Sequence, residues 1–271
     1  MGKYGNTPSR GGAYRPSGSG GGGASTLLMI LVGILLVAGL GFLGYRYAQS
    51  RNAREIDKDN CLANAPAPQA TLFLIDETDR LTHENAERIK ARIRDAVNAL
   101  PRYSRVTIVP FGGDVATPLQ PIFNRCLPGR SSTASLDEGA QLLEEQYHGF
   151  EKALDSEVKK LEELPDSKTS PITDQVIRAA SDPELHWQGK ARTLVLITDG
   201  LESSIYWTRN LKLKDAPEGL LRNVHAEYFE IGNAHGTRLQ TPEMRAEWKR
   251  WLENAGADVR VTAPGYSAAD G

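Results

Sequence analysis

The chain has 271 residues, a formal net charge of −2 from 32 Lys+Arg against 34 Asp+Glu, and 40 % hydrophobic residues. That balance describes a globular protein of ordinary size and excludes a chain that is disordered throughout. It also argues against nucleic acid as a partner, because phosphate-backbone binding shows as a basic excess or stripe and none is present.

The first 26 residues hold Gly, Ser, Tyr, Lys and Arg but no acid. Such a composition buries too little apolar surface to fold, so 1–26 reads as a flexible tail. The run LLMILVGILLVAGLGFLGYRY follows, with no charged residue between Arg15 and Arg46. It approaches the ~20 residues needed to cross a bilayer and is longer than the ~7–15-residue core of a signal peptide. Residues 27–47 are therefore expected to form one transmembrane helix embedded in the lipid bilayer. Lys3, Arg10 and Arg15 precede it while Arg46, Arg51 and Arg54 follow, so the positive-inside count does not orient it. The two cysteines, Cys61 and Cys126, permit one disulfide; two separate thiols are the alternative. The pair favours an extracytoplasmic soluble domain.

Residues 48–69, polar and then rich in Ala and Pro, read as a stalk. A folded domain is expected over 70–264, with 265–271 a flexible end. ATLFLI suits a strand covered on both faces. A helix then starts near Thr82, an N-cap with Glu84 in its first turn, and places Ile89, Ile93, Val97 and Leu100 on one face before Pro101 stops it. SRVTIVPF, 104–111, is a second strand. An insertion over about 113–168 begins as a loop and continues as a helix whose Leu143, Tyr147, Phe150, Leu154, Val158 and Leu161 recur every three or four residues. That stripe docks on the domain's own core or meets a partner; the pattern does not separate the two. SKTSPITDQVIRAA enters another helix, RTLVLITDG is a third apolar strand, and HAEYFEIG a fourth. TPEMRAEWKRWLENAG carries Thr241 at the N-cap and Pro242 at the first helical position, and ADVRVTA closes the series. Alternating strands and helices imply an α/β fold, a doubly wound, mostly parallel sheet of Rossmann-like kind.

Two of these strands end in oxygen-rich sequence, TLFLIDETDRLT and LITDG. In an open parallel sheet, ligands sit beyond the carboxyl ends of strands near the point where strand order reverses. Asp76 and Asp199 at such ends would converge with nearby hydroxyls into a small, hard, oxygen-only site suited to Mg²⁺. The pattern resembles the von Willebrand factor A (vWA) domain over roughly residues 70–262. That family's metal-ion-dependent adhesion site takes Asp-x-Ser-x-Ser after the first strand, a Thr in a later loop and an Asp after the fourth strand. The resemblance implies metal ligands at Asp76, Thr78, Ser170 and Asp199, with Thr173 the alternative to Ser170. It departs from the family at Arg80, which stands where the second serine belongs and cannot ligate a cation; the extra acid Asp79 is the candidate replacement.

No catalytic residue is visible. The five histidines, His83, His148, His186, His225 and His235, show no His-x-x-x-His spacing, and neither a Gly-x-Ser-x-Gly elbow nor a P-loop occurs. Binding is therefore expected rather than catalysis, with a protein partner from a membrane or envelope assembly and a Mg²⁺ ion as the implied cofactor. The rivals are a metal-free vWA-like scaffold that binds through the insertion helix and the 201–207 loop, and, from another class, a Mg²⁺-dependent hydrolase. Leu201, Ile205, Tyr206 and Trp207 lie just past Asp199, where exposed apolar and aromatic side chains would form a recognition surface; folding back onto the core is the other reading.

Overall fold

A computed structural model describes residues 22–52, 56–77, 81–134, 139–163, 169–203, 212–233 and 238–264. It divides into two compact units, 1–52 and 53–271.

The first unit is one helix, α1 (Gly22–Asn52), of 31 residues. It begins within the segment read from sequence as tail. Its stretch Leu28–Tyr45 is long and apolar enough to cross a membrane, and the side chains from Leu28 to Tyr45 are exposed. At ~1.5 Å per residue those 18 residues rise about 27 Å, close to the ~30 Å hydrocarbon thickness of a bilayer.

The second unit is a six-stranded sheet of β1 (Ala67–Asp76), β2 (Arg105–Phe111), β3 (Phe123–Cys126), β4 (Gly189–Thr198), β5 (Val224–Glu230) and β6 (Asp258–Thr262). Its order is β3-β2-β1-β4-β5-β6; β3 runs antiparallel to β2 and every other pairing is parallel. This is the α/β, doubly wound, mostly parallel sheet expected from sequence, and its form is consistent with a vWA-like fold.

Helices cover both faces. On one side α2 (His83–Ala99) and α3 (Ala140–Lys159) pack against Phe73, Ile75, Ile108, Val195 and Ile197. On the other, α4 (Ile172–Ser181) and α5 (Pro242–Asn254) pack against Leu72, Leu74, Val109, Leu194 and Leu196. Because successive strand residues point to opposite faces, both sides of β1 and β4 are apolar, as their uninterrupted hydrophobic runs require.

Local chemistry sets the helix boundaries. The Thr82 side chain accepts the Asn85 N–H at 3.2 Å to cap α2, and the Thr241 side chain accepts the Met244 N–H at 3.3 Å to cap α5, with Pro242 at its first position. Both caps satisfy amides that have no partner inside the helix.

One expectation is corrected and one open alternative is resolved. The segment 113–168 is not simply a loop followed by a helix: Phe123–Cys126 is a strand, the antiparallel edge of the sheet. The apolar stripe of α3 is not available to a partner, because Leu143, Tyr147, Phe150, Leu154 and Val158 are buried in the domain's own core, as is Leu161 just beyond the helix. The stripe's burial removes a large apolar penalty that an undocked helix would carry.

The stalk is also partly structured. Ile56 bridges Leu62, the Asp57 carboxylate accepts the Asp59 and Cys61 N–H groups at 2.9 and 2.8 Å, and Cys126 donates its N–H to Asp59 O at 2.9 Å. Cys61 and Cys126 are joined in a disulfide, with Cα atoms 4.9 Å apart. Residues 56–62 are thus fastened to the β3 edge.

Candidate functional site

Strand parity assembles the site. Asp76 continues the series Leu72, Leu74 on β1, and Thr198 continues Leu194, Leu196 on β4; β1 and β4 are neighbours in register, Ile75 opposite Ile197. Both polar residues therefore face the α4 side at the carboxyl ends of their strands. This is also where strand order reverses, β1 leading outward to β2 and β4 outward to β5.

Asp76 is 3 % exposed. Its Oδ2 accepts two hydroxyls, from Ser170 at 2.9 Å and from Thr198 at 2.6 Å. Thr198 Oγ1 in turn accepts the Gly200 N–H at 3.0 Å. Asp199, also buried, accepts the Leu201 N–H on Oδ1 at 2.9 Å and the Asn233 side-chain amide on Oδ2 at 2.5 Å. The Gln240 amide donates to Asp199 O at 3.1 Å and to Ile231 O at 2.7 Å. The loops after β4 and β5 are thereby tied together around Asp199.

Ser170 and Thr173 enter from the start of α4. Ser170 touches Asp76 directly. Thr173 is fully buried and its Oγ1 has no hydrogen-bond partner among the described residues; its N–H donates to the Glu202 carboxylate at 2.8 Å. Glu77, next to Asp76, has a buried Oε2 with no hydrogen-bond partner among the described residues, and its carboxyl is pushed up from the usual range first by burial and then by the Asp76 charge. Behind the site, burial drives the Tyr228 phenol well above its ordinary value, with Glu230, Asp199 and Asp76 adding to the shift. Its hydroxyl also has no hydrogen-bond partner among the described residues.

Of the residues predicted from sequence, Asp76 and Ser170 are brought into contact, Asp199 lies one residue past Thr198, and Thr173 lies in the first turn of α4. Thr78 and Asp79, with Arg80, fall outside the described residues, as do Ile205, Tyr206 and Trp207. Of the two readings left open for Leu201, the described structure has it half-buried and packed against the α4/α5-side core. Sequence reasoning missed Thr198, Glu77, Glu202, Ser203, Asn233 and Gln240. Thr198 was reachable by counting alternate residues back from the end of β4; Asn233 and Gln240 carry no local signal. The disulfide lies elsewhere, since Cys126 pairs with Arg105 at the opposite end of β2.

Among the described residues a second ligand-type group joins His83, Glu87 and Glu162, their candidate ligand atoms within 4.8 Å of one another. Lys90 already occupies its centre of negative charge, with its ammonium 2.8 Å from Glu87 and 2.6 Å from Glu162.

No protein-family model matches the sequence, and no curated protein matches it. Solved structures similar to it include the N-terminal domains of the type V pili tip protein Mfa5 from Porphyromonas gingivalis. That pair shares 12 % identity at a TM-score of 0.30 over 51 % of this chain and 20 % of the other. Human COPII-coat protein Sec24c is similar at 14 % identity and a TM-score of 0.40, over 79 % of this chain and 31 % of that one. An aerotolerance-related membrane protein from Bacteroides fragilis is similar at 12 % identity and a TM-score of 0.38, over 72 % and 90 %. The chain thus spans about a fifth of the Mfa5 chain and a third of the Sec24c chain.

Proposed function

We propose that this chain is a membrane-anchored, vWA-like protein-binding module whose site at the ends of β1 and β4 holds a Mg²⁺ ion. The observation that carries the reading is the convergence of the Ser170 and Thr198 hydroxyls on the Asp76 carboxylate, beside Asp199, at the switch point of the sheet. The donor set fits the ion: carboxylate and hydroxyl oxygens only, with the buried, unpartnered Thr173 Oγ1 close by in the sequence of the same helix start. Mg²⁺ is typically held by one or two protein carboxylates and keeps several waters. Asp76, Ser170 and Asp199 would hold it, and the resemblance to the vWA family adds Thr78, with Asp79 in place of the serine that Arg80 displaces. A bound ion would supply a positive charge for a carboxylate on the partner.

The helix Leu28–Tyr45 anchors the module, and the disulfide favours an oxidising compartment outside the cytoplasm. A protein of the same membrane or envelope is the partner this reading calls for.

A second reading has its own support. Asp199 and Asp76 already accept donors from Asn233, Leu201, Ser170 and Thr198, an arrangement that gives both carboxylates hydrogen-bond donors without an ion. In that case the module is a metal-free scaffold, and its partner surface excludes the buried stripe of α3. Capture of binding proteins from solubilised native membranes separates the two. The first reading predicts the same partner bands in Mg²⁺, lost in EDTA and lost in Asp199→Ala; bands unchanged by EDTA favour the scaffold.

A further inference from the structure

The start of α4 lacks a cap of its own. Its N-cap is Pro171, which offers no side-chain acceptor, so the first amides of the helix need partners from elsewhere. They come from the loop after β4. Gly200 adopts φ +79, the left-handed turn that sends the next residues back beneath α4. Glu202, 2 % exposed, then accepts the Thr173 N–H at 2.8 Å, placing a carboxylate against the positive end of the helix. Ser203 grips Ser170, the residue before the N-cap, twice: its hydroxyl accepts the Ser170 N–H, and its own N–H donates to Ser170 O at 2.8 Å.

From these contacts we infer that Glu202 and Ser203 are positioning residues, a clip that makes the Asp199 loop and the Ser170–α4 loop move as one body. Both backbone polar groups of Ser170 are held by Ser203, so the Ser170 hydroxyl reaches Asp76 from a position set by residues 199–203. The consequence is a route out of the site. A ligand that shifts the Asp199 loop also shifts the first turn of α4, a whole helix on the α4/α5 face, and reports its presence there. Coupling of this kind needs an element with two arrangements that both sites bias; the clip is the physical link between the two loops. The inference deepens the proposed cation site and rests on it only for the ligand-driven half of its test.

Hydrogen-exchange mass spectrometry on the full chain in detergent micelles tests it, with Mn²⁺ as the probe ion. In the unsubstituted protein, peptides covering 169–176 are expected to be protected, and saturating Mn²⁺ slows their exchange at least ~3-fold, a response carried by ordering of the loops. Glu202→Ala and Ser203→Ala raise exchange in those peptides by ~10-fold or more, leave β1 and β4 peptides unchanged, and abolish the Mn²⁺ response at α4. Affinity for Mn²⁺ falls by roughly 10-fold, the lower end of what loss of a supporting residue costs. Glu202→Gln and Ser203→Thr, which keep an acceptor oxygen, restore most of the protection and keep the protein comparable where an alanine variant does not fold. Alanine variants that fold and leave exchange at 169–176 as it was overturn the clip. Failure of Mn²⁺ to bind the unsubstituted protein overturns the cation reading instead, and the metal-free exchange comparison still decides the clip.

Discussion

Gly200 is the position where the geometry of the site makes its sharpest demand. At φ +79 a non-glycine residue bears ~1–2 kcal/mol of backbone strain. A Cβ there would also stand 2.8 Å from Met244 Cε and run into the Tyr228 hydroxyl. Overpacking of that kind costs a further ~1–3 kcal/mol. Gly200→Ala is therefore expected to destabilise the domain by about 2–5 kcal/mol, or roughly 4–20 °C in Tm for a domain of this size. Tyr228→Phe is expected to go the other way. The Tyr228 hydroxyl is buried without a hydrogen-bond partner among the described residues, its ring stacks on Trp248 at 5.9 Å, and removal of the hydroxyl relieves a desolvation penalty of about 1 kcal/mol. The two changes interact, because the hydroxyl is one of the atoms the new methyl would strike. Urea denaturation of the wild type, both single variants and the double variant should show Gly200→Ala costing at least ~1 kcal/mol less on the Phe background. Equal costs on both backgrounds, or a Gly200→Ala cost below ~1 kcal/mol, would refute the close packing of this turn against Tyr228.

Other expectations follow from the same structure. Burial raises the Glu227 carboxyl, but the Arg92 hydrogen bonds and charge, with the Thr262 hydroxyl, outweigh it and leave the group below its ordinary 4.5. Its stabilising contribution is thus complete above about pH 4.5 and is lost as pH falls through the depressed value. Arg92→Ala should cost about 3 kcal/mol at neutral pH by stranding a buried carboxylate, and should flatten the acid limb of a stability–pH profile. Glu77 has the opposite sign: its raised carboxyl makes the fold more stable as pH falls toward the ordinary range, so in EDTA at pH 7 Glu77→Gln should raise Tm. Opening the Cys61–Cys126 disulfide, which closes a sequence separation of 65, should cost up to about 4 kcal/mol by chain entropy; Cys61→Ser with Cys126→Ser, compared by urea denaturation, measures it. An impermeant thiol reagent applied to intact cells should label a cysteine introduced at exposed Lys190; labelling only after lysis would place the domain inside.

The sheet was legible because the strands bury both faces, so ATLFLI and TLVLIT announce themselves as unbroken apolar runs. Helix starts were legible where a single residue does the work, as Thr82 and Thr241 do. The β3 edge was not: four residues with Asn124 half-buried and Arg125 exposed make no run, and its identity as a strand depends on pairing with β2. The α3 stripe showed that the helix had an apolar face, but which surface covers it is a tertiary fact. At the site, acidic residues at strand ends drew the eye to Asp76 and Asp199, and Ser170 was found through the vWA resemblance. The residues that fix them escaped, because Glu202 reaching Thr173 and Asn233 reaching Asp199 are contacts between separate loops with no periodic pattern behind them. Leu201 was ambiguous for the opposite reason: a leucine beside a ligand-bearing turn can be a contact for a partner or a plug for the core, and here it packs half-buried against the core.

The most direct test of the account is calorimetric titration of Mg²⁺ and Mn²⁺ into the detergent-solubilised chain, beside Asp76→Ala and Asp199→Ala, with folding of each variant checked by circular dichroism. Saturable binding of one ion per chain, lost in both variants while the fold persists, is the predicted result. A folded, unsubstituted protein that takes up neither ion would contradict the cation site and leave a metal-free scaffold.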